Sequence, residues 1–205
     1  MMLFSDEYYT IEHVTTGQYK DRGSRFIAYA IPADSEHTVK RELELLRKKH
    51  YDATHHCYAY IIGPDKSAWR LNDDGEPSGT AGRPIYGQLL SSDLTNILVV
   101  VVRYYGGTKL GVSGLINAYR SAAADALANA IKMLKIVKVE LRLEFGYENM
   151  EKVMRIIKDK GIELLKTDFG MKCVVAVAVP RLEAQEITNQ LSRITGLIIS
   201  QLRTI

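Results

Sequence analysis

The chain has 205 residues, with 27 Lys and Arg against 24 Asp and Glu, a formal net charge of +3, and 46% apolar residues. That balance leaves no compositional case for disorder and is less basic than a dedicated nucleic-acid binder usually is. The length lies between one large domain and two small ones, so two domains are expected.

Asp6 and Glu7 interrupt the N-terminus before an apolar stretch of signal-peptide length accumulates. The longest aliphatic runs, Ile97 to Val102 and Val174 to Val179, have strand length and fall far short of the roughly 20 residues a membrane helix needs. These features predict a cytoplasmic protein with no membrane partner. Cys57 and Cys173 fall on segments assigned to different domains, so no disulfide is expected. Residues 1 to 134 hold 15 basic and 15 acidic side chains and residues 135 to 205 hold 12 and 9, so the second segment carries the whole excess.

Arg25 to Ile31 has strand character, and Pro32 to Ser35 opens a helix with Val39, Leu43 and Leu46 on one face. Its last turn carries Arg47-Lys48-Lys49-His50, which suits the negative end of a helix dipole. His56 to Ile62 and Ala68 to Asn72 read as a hairpin around Gly63-Pro64-Asp65-Lys66. Asn96 to Val102 is a β-branched run suited to a strand covered on both faces. Val112 to Ile131 repeats apolar residues at helical spacing, with alanines that permit close packing on a sheet.

From Ile136 the pattern restarts. Ile136 to Phe145 alternates as a strand, Asn149 is expected to cap a helix that Gly161 ends, and Ile162 to Phe169 and Lys172 to Val179 follow as strands joined by a Gly170-Met171 turn. Pro180 is expected to start a helix carrying Ile187, Leu191 and Ile194, and Leu197 to Leu202 closes as a strand. The order is βαββαβ, the ferredoxin-like arrangement. The fold class is therefore α+β, with an N-terminal two-layer α/β domain at 1–134 and a ferredoxin-like domain at 135–205.

Two glycine-rich stretches are the candidate site. The first runs Asp73-Asp74-Gly75-Glu76-Pro77-Ser78-Gly79-Thr80-Ala81-Gly82-Arg83-Pro84. Ser78 and Thr80 are placed to cap a helix running towards Leu90, whose free amides would hold an anion. Asp73, Asp74 and Glu76 can alternatively offer oxygen ligands to a divalent metal, although no fixed Asp-x-Asp loop spacing identifies one. A structured turn with a helix cap is the architectural alternative.

The second stretch runs Arg103-Tyr104-Tyr105-Gly106-Gly107-Thr108-Lys109-Leu110-Gly111-Val112-Ser113-Gly114, between a buried strand and a long helix. That is where α/β folds often bind ligands, and Arg103 and Lys109 add positive charge. The spacing satisfies neither the Walker pattern nor the dinucleotide fingerprint, so no nucleotide cofactor is called for. In the architectural alternative the glycines take positive φ and Arg103 pairs with a nearby carboxylate. Both readings stay open at this point.

His55 and Cys57 lie two apart and can share a strand face, but two ligands are too few for structural zinc, and a satisfied histidine beside a buried thiol is the plainer reading. No Gly-x-Ser-x-Gly elbow supports a serine hydrolase. In the C-terminal domain Lys138, Glu140, Arg142 and Glu144 alternate with apolar residues along one strand. An ion-pair ladder fits that face better than a platform for stacked bases.

The segments 73–84 and 103–111, together with Ala53-Thr54-His55-His56-Cys57-Tyr58-Ala59-Tyr60, resemble the signatures of the IMPACT/YigZ family. The resemblance implies an N-terminal domain like the second domain of a small-subunit ribosomal protein. It also implies a C-terminal domain like a ferredoxin-like module of elongation factor G, and a role in translational control. Ser113 stands where relatives often have a third glycine.

The expected function is a non-enzymatic, translation-linked binding or regulatory protein, with RNA, the ribosome or a protein factor as partner. The groove would be formed by Asp73, Asp74, Glu76, Ser78, Gly79, Thr80, Gly82, Arg83, Arg103, Gly106, Gly107, Thr108, Lys109, Gly111 and Gly114, with no catalytic residue, metal or cofactor assigned. The alternative is a metal-assisted enzyme acting on a phosphorylated small molecule. A third is an adaptor using the C-terminal sheet.

Overall fold

A computed structural model describes residues 6–204. The described chain divides into two compact units, one of residues 8–135 and one of residues 136–204 joined by residues 6 and 7.

The larger unit is built on a five-stranded antiparallel sheet of β2 (Thr15–Asp21), β3 (Ser24–Pro32), β4 (His55–Ile62), β5 (Ala68–Asn72) and β6 (Ile97–Tyr104), in the order β2-β3-β6-β4-β5. β6 is central and is covered on both faces, which is why its sequence is a continuous aliphatic run and not an alternating one. One face packs on α1 (Glu36–Lys49) through Val39, Leu43 and Leu46. Ser35 caps that helix by accepting the Thr38 amide, and Arg47, Lys48 and Lys49 occupy its last turn.

The opposite face packs on α2 (Gly82–Ser91) and α3 (Gly111–Ala128), whose Ala118, Ala122, Ala123 and Ala126 are fully buried. α3 lies so close to β2 that a Cβ on Gly17 would stand 2.2 Å from the Ala126 nitrogen. β1 (Glu7–Ile11) pairs with β7 (Lys132–Ile136) in a separate two-stranded sheet. The sequence pattern predicts no element over residues 7–21 and 132–135. β2 has few apolar residues, β1 is short and β7 is largely exposed, so they carry little periodic signal.

The smaller unit runs β8 (Lys138–Phe145), α4 (Met150–Asp159), β9 (Glu163–Phe169), β10 (Cys173–Pro180), α5 (Ala184–Leu191) and β11 (Ile198–Thr204), with sheet order β11-β8-β10-β9. This is the βαββαβ arrangement, with Val139, Leu141, Leu143 and Phe145 buried against the two helices. The alternate residues of β8 carry ion pairs, Glu140 to Arg203 at 2.7 Å and Glu144 to Lys172 at 2.9 Å. Three local expectations differ. Pro180 ends β10 opposite Lys138, and the helix waits until Ala184. Asn149 occupies the N-cap position, but its side-chain amide donates to the Thr195 carbonyl and leaves the α4 amides alone. The β9–β10 connection holds three residues, because Phe169 pairs directly with Cys173.

Both cysteines are buried free thiols. Among the described residues no helix is long and apolar enough to cross a membrane.

Candidate functional site

The acidic stretch begins where β5 ends. The Asn72 side chain accepts the Asp74 amide at 2.7 Å, and Asp74 and Gly75 take left-handed φ of 44° and 89°, which turns the chain back on itself. The Asp73 carboxylate then accepts the amides of Gly79 at 2.8 Å, Ala81 at 3.0 Å and Gly82 at 2.8 Å. The anion at the start of α2 is thus the protein's own. Ser78 and Thr80 do not cap the helix as expected: Ser78 is exposed, and the Thr80 hydroxyl donates to the Pro77 carbonyl at 2.6 Å. A full negative charge reaching back from the strand end is a better acceptor for converging amides than a neutral hydroxyl. Asp74 is engaged too, accepting the His56 amide at 2.7 Å and the Arg47 guanidinium at 3.2 Å.

Glu76 joins the two stretches. It is buried, and its Oε1 accepts the Arg103 Nη1 at 2.6 Å and the Tyr119 hydroxyl at 2.7 Å, with the His55 Nε2 at 3.8 Å. The Cys57 sulfur lies 3.3 Å from the Tyr119 oxygen and 3.0 Å from the Asp73 carbonyl, so its single proton serves one of them at a time. His55 Nδ1 lies 2.8 Å from the Asp74 carbonyl, which accepts only, so Nδ1 carries a proton. Burial pushes the Cys57 thiol and the Tyr119 phenol well above their ordinary values. At neutral pH the thiol is protonated and is no nucleophile.

Register explains why these residues meet. His55 lies opposite Arg103, and Cys57 opposite Val101, on the face that α3 covers. Tyr119 projects from the middle of α3 onto the same spot. Arg103 is 6% exposed, yet its Nε has no partner, and its guanidinium lies 5.5 Å from the Phe26 and Tyr105 ring centres.

The cationic stretch is different. Gly106 donates its amide to the Ser24 hydroxyl at 3.1 Å and lies against the β2–β3 turn so tightly that a Cβ there would stand 1.9 Å from the Gly23 carbonyl carbon. Gly107, Thr108, Lys109 and Gly111 are exposed and Gly114 is half-buried. α3 starts at Gly111 with no side-chain cap and no acidic residue in its first turn. Arg83, on the first turn of α2, is exposed, and neither Arg83 nor Lys109 makes an ion pair among the described residues. The fold brings Asp73, Glu76, Thr80, Gly82 and Arg103 together in an internal network, and leaves Ser78, Arg83 and the 107–113 segment outside it.

Tyr119 is the member that sequence reasoning assigned only to the helix core. Its phenol at a position otherwise filled by alanines was the available signal, because a buried tyrosine needs a partner for its hydroxyl.

These features define an α+β protein of two units whose characteristic motifs build a buried carboxylate–guanidinium–phenol–thiol network. Residues 22–127 match the Impact N-terminal domain. The chain is 33% identical to the IMPACT family member YigZ of Escherichia coli over 171 residues, 82% of this chain and 84% of that one. It is 39% identical to an IMPACT family member of Thermus thermophilus over 140 residues, 68% and 75% of the two chains. A crystal structure described as that of a hypothetical protein superposes with a TM-score of 0.77 at 30% identity, covering 96% of this chain and 98% of that one. The chain belongs to the IMPACT family. The yeast protein named Protein IMPACT homolog is 35% identical over 113 residues, which are 43% of its length.

Proposed function

We propose that this is a non-enzymatic, translation-linked binding protein that engages the ribosome through the surface formed by residues 105–113 and Arg83. The observation that carries this reading is the contrast between two helix starts of the larger unit. α2 is closed by Asp73, whereas α3 begins uncapped behind an exposed glycine-rich turn, beside cations that no carboxylate neutralises. Family membership supports the translational context. The groove is redrawn accordingly: Asp73, Asp74, Glu76 and Arg103 support the surface from beneath, and Lys109, Thr108, Gly107 and Arg83 present it.

A metal-assisted reaction requires the carboxylates of the acidic turn to face a ligand. Here Asp73 takes three amides and Glu76 takes Arg103 and Tyr119, so that reading gains no support. Co-sedimentation with ribosomes tests the proposal. Binding should fall as salt rises and should weaken at least tenfold in Arg83→Glu/Lys109→Glu. Retained binding in the double variant would show that this surface is not the contact.

A further inference from the structure

The β2–β3 hairpin breaks two rules that govern stable hairpins, and breaks both with a cation. Asp21 pairs with Ser24, so Arg22 and Gly23 form a two-residue turn, with φ of 43° and 79°. The first such position ordinarily takes Asn, Asp or Gly; here it holds an exposed arginine in a left-handed conformation. Directly behind it Lys20 lies opposite Arg25 in the register. Like charges facing each other across an antiparallel pair repel, unless an anion lies between them.

The surrounding geometry holds these cations ready. An open cavity of about 500 Å³ is lined by Lys20, Asp21, Arg22, Ser24, Arg25 and Tyr104. The Arg25 guanidinium rests 4.6 Å above the Tyr104 ring, and the Lys49 ammonium 4.9 Å from the Tyr29 ring. The two rings are locked by one histidine: the Tyr29 hydroxyl meets His50 Nε2 at 2.7 Å, and the Tyr104 hydroxyl meets His50 Nδ1 at 2.8 Å. Aromatic faces therefore position these two cations without neutralising them, and leave the N–H edges of Arg25 free for phosphate oxygens. Asp21 is the single carboxylate of the lining. Lys20, Arg22, Arg25 and Lys49 make no ion pair among the described residues.

We propose that this face of the larger unit binds the phosphate backbone of single-stranded RNA. The cations are spread from a turn tip across two strands to a helix end and do not converge on one point, which suits successive phosphates better than one small anion. Exposed Tyr51, which follows His50 directly in the chain, offers a ring on which a base stacks. The site deepens the translation-linked reading by naming the chemistry of the partner, and it lies on residues that the glycine-rich surface does not use.

The test is fluorescence anisotropy of the full chain with a labelled 12-nucleotide RNA in the absence of ribosomes. Affinity should fall steeply with salt, and Lys20→Ala/Arg25→Ala should weaken binding at least tenfold while lowering the slope of log K against log salt by about 1.4. Both side chains are exposed, so the variant should keep the urea midpoint of the parent. Arg155→Ala, which removes an exposed cation of the smaller unit, should change neither quantity. Equal affinity for the parent and the double variant overturns the proposal. So does saturation by inorganic phosphate at the RNA's own affinity, or by a dinucleotide as tightly as by the 12-mer, which would make this a small-anion site. If the parent chain fails to bind the RNA while it still binds ribosomes, this inference alone is lost, whereas failure of the parent in both assays also removes the function proposed above.

Discussion

The Arg103–Glu76 pair offers the sharpest test of whether the motif residues are internal supports. Both side chains are nearly inaccessible, at 7% and 3%, and 2.6 Å apart. Arg103→Met keeps the volume but strands a buried carboxylate with the Tyr119 hydroxyl as its main donor. Removing one partner of a buried pair costs about 3–5 kcal/mol, since the remaining charge loses its compensation. For a chain of this length each kcal/mol moves the melting temperature by about 3 °C, so a fall of about 12 °C is expected. Adding Glu76→Gln removes the stranded charge and preserves an acceptor for Tyr119. The double variant should regain at least about 2 kcal/mol of the loss, a direct measure of coupling. Trp69 is the only tryptophan and stacks on Tyr86 at 5.0 Å in the larger unit, so its fluorescence in a urea titration reports that unit. A loss below about 1 kcal/mol in Arg103→Met would refute the structural role and return Arg103 to the set of residues free for a ligand.

Three further outcomes follow from the same contacts. Asp73→Ala should cost about 3 kcal/mol in the same titration, because three amides lose a charged acceptor, and Asp73→Asn should cost less; a loss under about 0.5 kcal/mol would mean that the α2 start is satisfied otherwise. Gly17→Ala should lose about 3 kcal/mol or fail to fold, since the new carbon meets α3 backbone at 2.2 Å, and an unchanged urea midpoint would disprove the close approach. His50 and His56 are held below their ordinary value of 6.5, mainly by burial, so the folded protein keeps them neutral while the unfolded chain takes up protons. Stability should therefore fall as pH drops below about 6.5 and continue falling through the folded values, with His50→Gln/His56→Gln flattening the trend between pH 7.5 and 5.5; a urea midpoint that rises over that interval contradicts the assignment.

The α+β class was legible in the chain, because its period changes where the elements change. Val99, Val100, Val101 and Val102 mark a strand covered on both faces, and Val139, Leu141, Leu143 and Phe145 mark one covered on a single face. The glycine-rich stretches stood out by composition, and their partners did not. Which acceptor closes α2 was misread, since Asp73 competes with Ser78 and Thr80 only after the turn at Asp74-Gly75 folds the chain back. Residues 15–24 carried no element in the sequence because Thr16, Gln18 and Lys20 leave a weakly apolar strand, although Arg22-Gly23 between two short runs carried a faint hairpin signal.

Local order along the chain thus determined which segments became strands and helices, and which loops were unusual. Only tertiary structure decided what those loops do, because the deciding contacts join residues distant in sequence: Glu76 with Arg103 and Tyr119, Arg25 with Tyr104, His50 with Tyr29. A charge or a hydroxyl has no fixed role until folding settles what neutralises it, and that depends on strand register and helix packing, which no local pattern encodes.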